Sequence, residues 1–190
     1  MGRLICSHHV SLDGFIEGPN GELDRAIVDE ELYRRFNDQE GAIGAHLYGR
    51  RTYENMAQFI PALAQDPAAP DYLVETARFW LDKPKIVFSR TLARAEWKAT
   101  LVRERASEEI AKLRREADKD MYLAGANLAD SVIPLGLIDE YRLYVHPVVL
   151  GGGKPFLPRD GGVLRIRLAE ATRLGASVVL LRYHPSSEGD

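Results

Sequence analysis

Cysteine is nearly absent. Cys6 is the only one in 190 residues, so no internal disulfide can form and the chain must hold itself together through its core, which its length allows. The cysteine lies in the apolar run Leu4-Ile5-Cys6, where a buried, inert thiol is expected. No long apolar segment occurs, and the opening Met-Gly-Arg-Leu-Ile-Cys lacks the Ser or Thr of a myristoylation signal. An excess of charge is missing too: a net charge of −3 gives no general attraction to nucleic acid or to an anionic membrane, so any basic site must be local. Without repeats, linkers or low-complexity tracts, one domain over 1–190 is expected, with a disordered tail at about 185–190. These absences point to a cytoplasmic protein with neither nucleic acid nor membrane as partner.

Several chemical motifs are also missing. Gly151-Gly152-Gly153-Lys154 suggests a P-loop, but its spacing fails and Pro155 stands where Ser or Thr is needed. No Gly-x-Gly-x-x-Gly, no Gly-x-Ser-x-Gly elbow and no zinc-deaminase signature occurs. His8, His9, His46, His146 and His184 lack ligand spacing, and adjacent His8 and His9 point to opposite faces of a strand, so no metal is expected.

What is present is an alternation of short apolar runs and amphipathic stretches, the pattern of an α/β domain. Strands are expected over Leu4 to Ser11, Ala42 to Tyr48, Lys85 to Ser89 and Met121 to Ala124, and a long one over Glu140 to Leu150, interrupted by Pro147. Asp29 can cap a helix with Leu32, Tyr33 and Phe36 on one face, and Gly49 leads into another. Pro61 to Pro70 reads as a loop before a helix over Tyr72 to Leu81. Ser107 caps a charged helix in which Glu108 sits four residues before Lys112. Leu164 to Leu174 and Ser177 to His184 alternate about Gly175-Ala176 as an antiparallel hairpin. The result is a mixed sheet, parallel first and antiparallel at its C-terminal edge.

The strand ends carry the chemistry. At Gly125 a strand turns into a helix, whose unpaired N–H groups and dipole favour an anion. Arg50, Arg51 and Thr52 follow a second strand, and Ser89, Arg90 and Thr91 a third. Carboxyl ends of parallel strands lie on one edge, so the three clusters can converge into a cradle for several phosphates, as a phosphorylated dinucleotide would need. Taken singly, each arginine reads better as solvent-exposed surface; it is the three clusters together that suggest a cradle.

Four segments then carry a resemblance: Val10-Ser11-Leu12-Asp13-Gly14-Phe15-Ile16, Leu47-Tyr48-Gly49-Arg50-Arg51-Thr52-Tyr53-Glu54, Lys85 to Leu92, and Ala124-Gly125-Ala126-Asn127-Leu128. In this order they resemble the motifs of the dihydrofolate-reductase-like reductases. Tyr141 to Phe156 is similar to the branch related to the C-terminal reductase domain of bacterial riboflavin biosynthesis. The resemblance implies a three-layer α/β fold, with a central mixed, mostly parallel sheet, helices on both faces and NADPH as cofactor. It implies that Arg50, Arg51, Ser89 and Arg90 surround the adenosine 2′-phosphate, that Thr52, Gly125, Ala126, Asn127 and Leu128 hold the pyrophosphate, that Gly49 also binds the cofactor, and that Ile16 lies beside the nicotinamide. The implied reaction is hydride transfer to a small polar substrate, such as a ribosylamino-pyrimidine phosphate, with a pterin or another carbonyl or imine compound, or cofactor binding without turnover, as alternatives.

Asp13 is a candidate substrate contact or a plain turn residue, since Asp-Gly is a common turn pair. Glu31, Tyr48 and Lys154 are further substrate candidates. Tyr48 also suits the core, and Lys154 suits either a substrate phosphate or water. Ala126 stands where the family often has a second glycine, which matters only if that position needs φ > 0. Relatives of this type are commonly dimers, and a homodimer is expected.

Overall fold

The structure, a computed structural model, describes residues 2–22, 29–157 and 162–186. Its strands are β1 Leu4–Ser11, β2 Phe15–Glu17, β3 Ile43–Gly49, β4 Lys85–Phe88, β5 Ala99–Val102, β6 Asp120–Ala124, β7 Glu140–His146, β8 Lys154–Pro155, β9 Ile166–Leu174 and β10 Val178–Pro185. The helices are α1 Glu30–Glu40, α2 Arg50–Leu63, α3 Asp71–Asp82, α4 Ala106–Glu116 and α5 Ala126–Val132. Eight strands form one sheet in the order β5-β4-β3-β6-β1-β7-β10-β9. The first six are parallel, and β10 and β9 close the sheet as an antiparallel hairpin. This is the α/β fold that the alternating pattern predicts.

Both sheet neighbours of β1 come late in the chain. The chain leaves β1, lays down β3, β4 and β5 outward on one side, returns with β6 into the gap, and then places β7 on the other side. β1 is therefore where the winding direction changes, and a crevice opens at the carboxyl ends of strands there. Leu4, Ile5 and Cys6 are fully buried, as a strand enclosed on both faces requires. On one face Ile110 of α4 and Leu128, Ala129 and Val132 of α5 pack against Leu4, Cys6, Leu47 and Leu123. On the other, Trp80 and Ala77 of α3 pack with Tyr48, Tyr53 and Val87, while Leu32 and Phe36 of α1 meet Tyr144 and Leu180.

Several local expectations change. α2 runs through Pro61 to Leu63 rather than yielding to a loop at 61. Proline in the last turn removes one N–H but leaves the preceding turns intact. Ser107 does not cap α4: the N-cap is Arg105, left-handed at φ 53 with no side-chain cap bond, and Glu109, not Glu108, pairs with Lys112. β7 stops at His146 because Pro147 has no N–H to donate to a ladder. α5 is short and passes into a 3-10 turn at Ile133–Leu135 ended by left-handed Gly136. β10 extends through Pro185, so residue 185 is strand, and 187–190 lie outside the described residues. β2, β5 and β8 were too short to show a pattern.

The triple-glycine loop has a steric explanation. β2 and β8 pair as a small flap, and a Cβ on Gly153, at φ +123, would stand 2.0 Å from the Glu17 carbonyl oxygen. Among the described residues no helix is long and apolar enough to cross a membrane.

At the amino end of β7, Glu140 is buried between three arginines. Arg182 donates from Nε at 2.9 Å, Arg3 donates at 2.9 Å, and Arg142 donates to the same carboxylate. Burial alone would raise the Glu140 pKa, but the hydrogen bonds and charges of Arg182 and Arg142 outweigh it and hold it at about 2. A depressed carboxylate contributes stability above its unfolded pKa and loses it as pH falls through the folded one. Urea melts should therefore show stability falling between about pH 4.5 and 2, with a contribution on the order of 3 kcal/mol from this group. Glu140→Gln should flatten that fall and cost about 3–5 kcal/mol at pH 7 by stranding the arginines; an unchanged acid limb would refute the assignment.

Candidate functional site

The carboxyl ends of β3, β4 and β6 supply the three predicted clusters, and the structure links them. Gly49 is the N-cap of α2, with no side-chain cap bond. Gly125 is the N-cap of α5 at φ +115, a conformation open to glycine alone. A Cβ on Gly125 would lie 2.9 Å from Thr52 Oγ1 and 3.4 Å from Gly49 N. The two helix starts thus touch backbone to backbone, and Ala126, Asn127 and Thr52 flank the contact. Ala126 sits inside α5 and is absent from the residues with positive φ, so its lack of a second glycine costs nothing.

The third cluster joins through Arg50. Its Nε pairs with Glu54 at 2.9 Å, and Nη1 donates to Thr91 Oγ1 at 2.8 Å, so α2 is tied to the loop after β4. In that loop Ser89 Oγ accepts the N–H groups of Thr91 and Leu92 at 3.2 and 3.0 Å. Arg103, which the sequence reading passed over, donates to the carbonyls of Arg90 at 3.4 Å and Ala93 at 3.2 Å. The Arg90 side chain is exposed beside them.

Arg51 goes elsewhere. It is largely exposed and reaches Glu17 of the flap at 3.7 Å, so the two adjacent arginines serve opposite ends of the edge. Ile16 is half-buried in β2 beside Glu17. Successive residues at the start of a helix project about 100° apart, which is why one dipeptide can reach both sides.

Three of the candidate residues have their polar groups engaged within the protein. Leu128 is buried in the core and spends its N–H on the Gly125 carbonyl at 3.1 Å, so it packs the turn and has no donor left for a phosphate. Tyr48 is buried, and its hydroxyl shares a hydrogen bond with His46 Nδ1 at 2.9 Å, with His46 Nε2 in turn 3.1 Å from Glu40; it is a core residue. Asp13 behaves as a turn residue: the Ser11 hydroxyl, and the N–H groups of Leu150 and Gly151 at 3.1 and 2.8 Å, hold its pKa below the usual range. Lys154 is engaged by Asp130 at 3.3 Å at the base of the flap. Glu31 is exposed on the first turn of α1, which is capped by Asp29.

Two histidines that the sequence reading weighed only as metal ligands meet at this edge. His9, near the end of β1, and His146, the last residue of β7, stand with Nδ1 and Nε2 2.8 Å apart. Among the described residues no group of His, Cys, Asp and Glu could hold a metal.

Fold and edge together define a reductase-like α/β domain of the dihydrofolate-reductase type. The chain belongs to the RibD C-terminal domain family, which matches residues 3–180. It is 37% identical to the uncharacterized protein YyaP of Bacillus subtilis (strain 168) over 183 residues, 96% of this chain and 94% of that one. In structure it is similar to a putative riboflavin biosynthesis protein from Shewanella sp. PV-4, with a TM-score of 0.74, 23% identity, and coverage of 98% of this chain and 100% of that one. It is also similar to dihydrofolate reductase from Enterococcus faecalis complexed with NADP(H), at a TM-score of 0.63, 17% identity and 98% coverage of both chains.

The contact at Gly125 is directly testable. Gly125→Ala should cost about 2 kcal/mol or more in thermal or urea unfolding, from the φ of +115 and the Thr52 approach. Adding Thr52→Ala should recover only the steric part. A loss within about 0.5 kcal/mol would mean the turn relaxes and the helix starts do not depend on glycine.

Proposed function

We propose that this protein is an NADPH-dependent reductase that delivers hydride to a small polar substrate. The reading rests on one observation above others: Gly49 and Gly125 come together with only the small Thr52 hydroxyl beside them, leaving two helix starts without side-chain caps side by side. Backbone exposed in this way suits a pyrophosphate, which needs close approach and several N–H donors. Arg50, with Ser89, Thr91 and Arg90 on the neighbouring loop, suits a phosphate monoester, since guanidinium and hydroxyl groups recognise it together. Arg103 would hold that loop by its two carbonyl contacts.

The nicotinamide, when bound, supplies the hydride. This chain's residues would do the rest: the helix starts and Arg50 bind and orient the cofactor, the β2–β8 flap with Ile16 covers the reacting end, and Asp13 anchors the loop at Leu150 and Gly151. Rate enhancement would come chiefly from holding two reactants in line. For the substrate, family membership favours a ribosylamino-pyrimidine phosphate of the kind reduced by 5-amino-6-(5-phosphoribosylamino)uracil reductase, an activity that one structural neighbour from Thermotoga maritima carries in its name.

Arg50 and Arg51 are expected to separate in a titration. Arg50→Ala should weaken NADPH at least about tenfold more than NADH, because it removes charged donors to the extra phosphate. Arg51→Ala, which faces Glu17, should weaken both cofactors alike. Calorimetric titration of the two variants with each cofactor decides the matter, and an equal loss of NADPH and NADH affinity in Arg50→Ala would sink the 2′-phosphate assignment.

A further inference from the structure

Where α5 meets the flap, one carboxylate is only half engaged. Asp130 follows the buried Ala129 on α5, and its Oδ2 holds Lys154 Nζ of β8 at 3.3 Å. Its Oδ1 is buried and has no hydrogen-bond partner among the described residues. Folded proteins seldom leave a buried acceptor open, because its contact with water is lost and nothing is gained in return. A carboxylate in this position is completed by a bound group that donates an N–H.

The surroundings say which group. Lys154 stands opposite Glu17 in the ladder of β8 and β2, next to Ile16, and Glu17 reaches Arg51 of α2 at 3.7 Å. The flap is therefore tied to α5 through Lys154 and to α2 through Glu17, the two helices whose starts meet at Gly49 and Gly125. Asp130 comes five residues after Gly125, about 7.5 Å along a helix. It also lies near β1, since burial and then the Asp130 charge push the Cys6 thiol up. The open oxygen thus sits among the glycine turn, β1 and the flap strand that carries Ile16. A dinucleotide with its pyrophosphate at that turn has its nicotinamide one ribose further on, at the flap.

We propose that Asp130 accepts the carboxamide N–H of the nicotinamide at Oδ1 and so holds the ring in one orientation. The proposal rests on the reductase reading above. A carboxamide offers N–H donors on one side and a carbonyl acceptor on the other, whereas an ionised carboxylate only accepts. Pairing with Asp130 therefore selects the amino side of the group. A hydrogen bond to a charged acceptor is stronger than a neutral one, and Lys154 fixes the rotation of the carboxylate while balancing its charge. The Lys154–Asp130 and Arg51–Glu17 pairs both reach solvent and are weak, so the flap can lift to admit the ring and re-form them over it. Asp130 takes no part in hydride transfer itself; it orients the group that donates hydride.

Calorimetric titration with two cofactors that share every phosphate tests this: NADPH and its reduced acetylpyridine analogue, in which a methyl group replaces the carboxamide amino group. Wild type should bind NADPH at least about tenfold more tightly than the analogue. Asp130→Ala should bind both alike, having lost affinity for NADPH alone. Asp130→Asn keeps a neutral acceptor and should keep part of the preference, while Lys154→Ala, which leaves Oδ1 in place, should keep most of it. A wild type that binds the two cofactors equally overturns the proposal, and that result needs no variant to fold. So does an Asp130→Ala protein with the full preference, or one that loses both cofactors to the same degree, which would make Asp130 a strut of the flap. In each of these outcomes wild type still binds NADPH, and the reductase reading stands. A wild type that binds no NADPH removes the reductase reading and the proposal together.

Discussion

The close approach of Gly125 to Gly49 and Thr52 is the constraint on which the rest of the edge depends. Two parallel strands, β3 and β6, end at the same level, with Tyr48 opposite Ala124, and both chains must turn at once into helices on opposite faces of the sheet. Only a residue without Cβ passes the Thr52 hydroxyl there, and only glycine accepts φ +115 without strain. The same requirement leaves only the small Thr52 side chain at the meeting point of two helix starts. A steric solution to a turning problem thus leaves an anion-seeking surface, with no residue needed for binding alone.

Around that point the sheet distributes its charges by edge. The amino end of β7 gathers Arg142, Arg182 and Arg3 around the buried Glu140 in a mutually satisfied network. The carboxyl end keeps its arginines at the surface, lightly paired with Glu54 and Glu17. Buried charges without partners are costly, so structural ion pairs are matched in place. Surface pairs are weak and readily exchanged for a stronger anion, which is the property a cofactor site needs. The Arg51–Glu17 pair also links the cofactor edge to the flap, so an anion that draws Arg51 away would alter the hold on β2.

Much of the site was legible in local sequence because its parts are local. Gly125, Gly49-Arg50-Arg51-Thr52 and Ser89-Arg90 each follow an apolar strand run, and strand ends on one side of a parallel sheet must share an edge. The failures have different causes. Tyr48 and Leu128 lie within the same motifs, but alternation and helix rotation turn them into the core, where their polar groups are spent on His46 and on the Gly125 carbonyl. Arg51 has the same composition as Arg50 and the opposite direction. His9 and His146 are 137 residues apart and share no motif, so nothing in either neighbourhood announces the other.

The amino-acid sequence by itself determined the alternation of strands and helices, the glycine turns and the basic strand ends, because these depend on backbone preference and on periods of two and 3.6 residues. Only the tertiary structure decided which strands are neighbours. It set β6 short beside β1, brought β7 alongside, and so placed His9 against His146 at the end of the crevice. Strand order is fixed by long-range burial rather than by any local propensity, and a contact between two distant strands becomes visible only once that order is known.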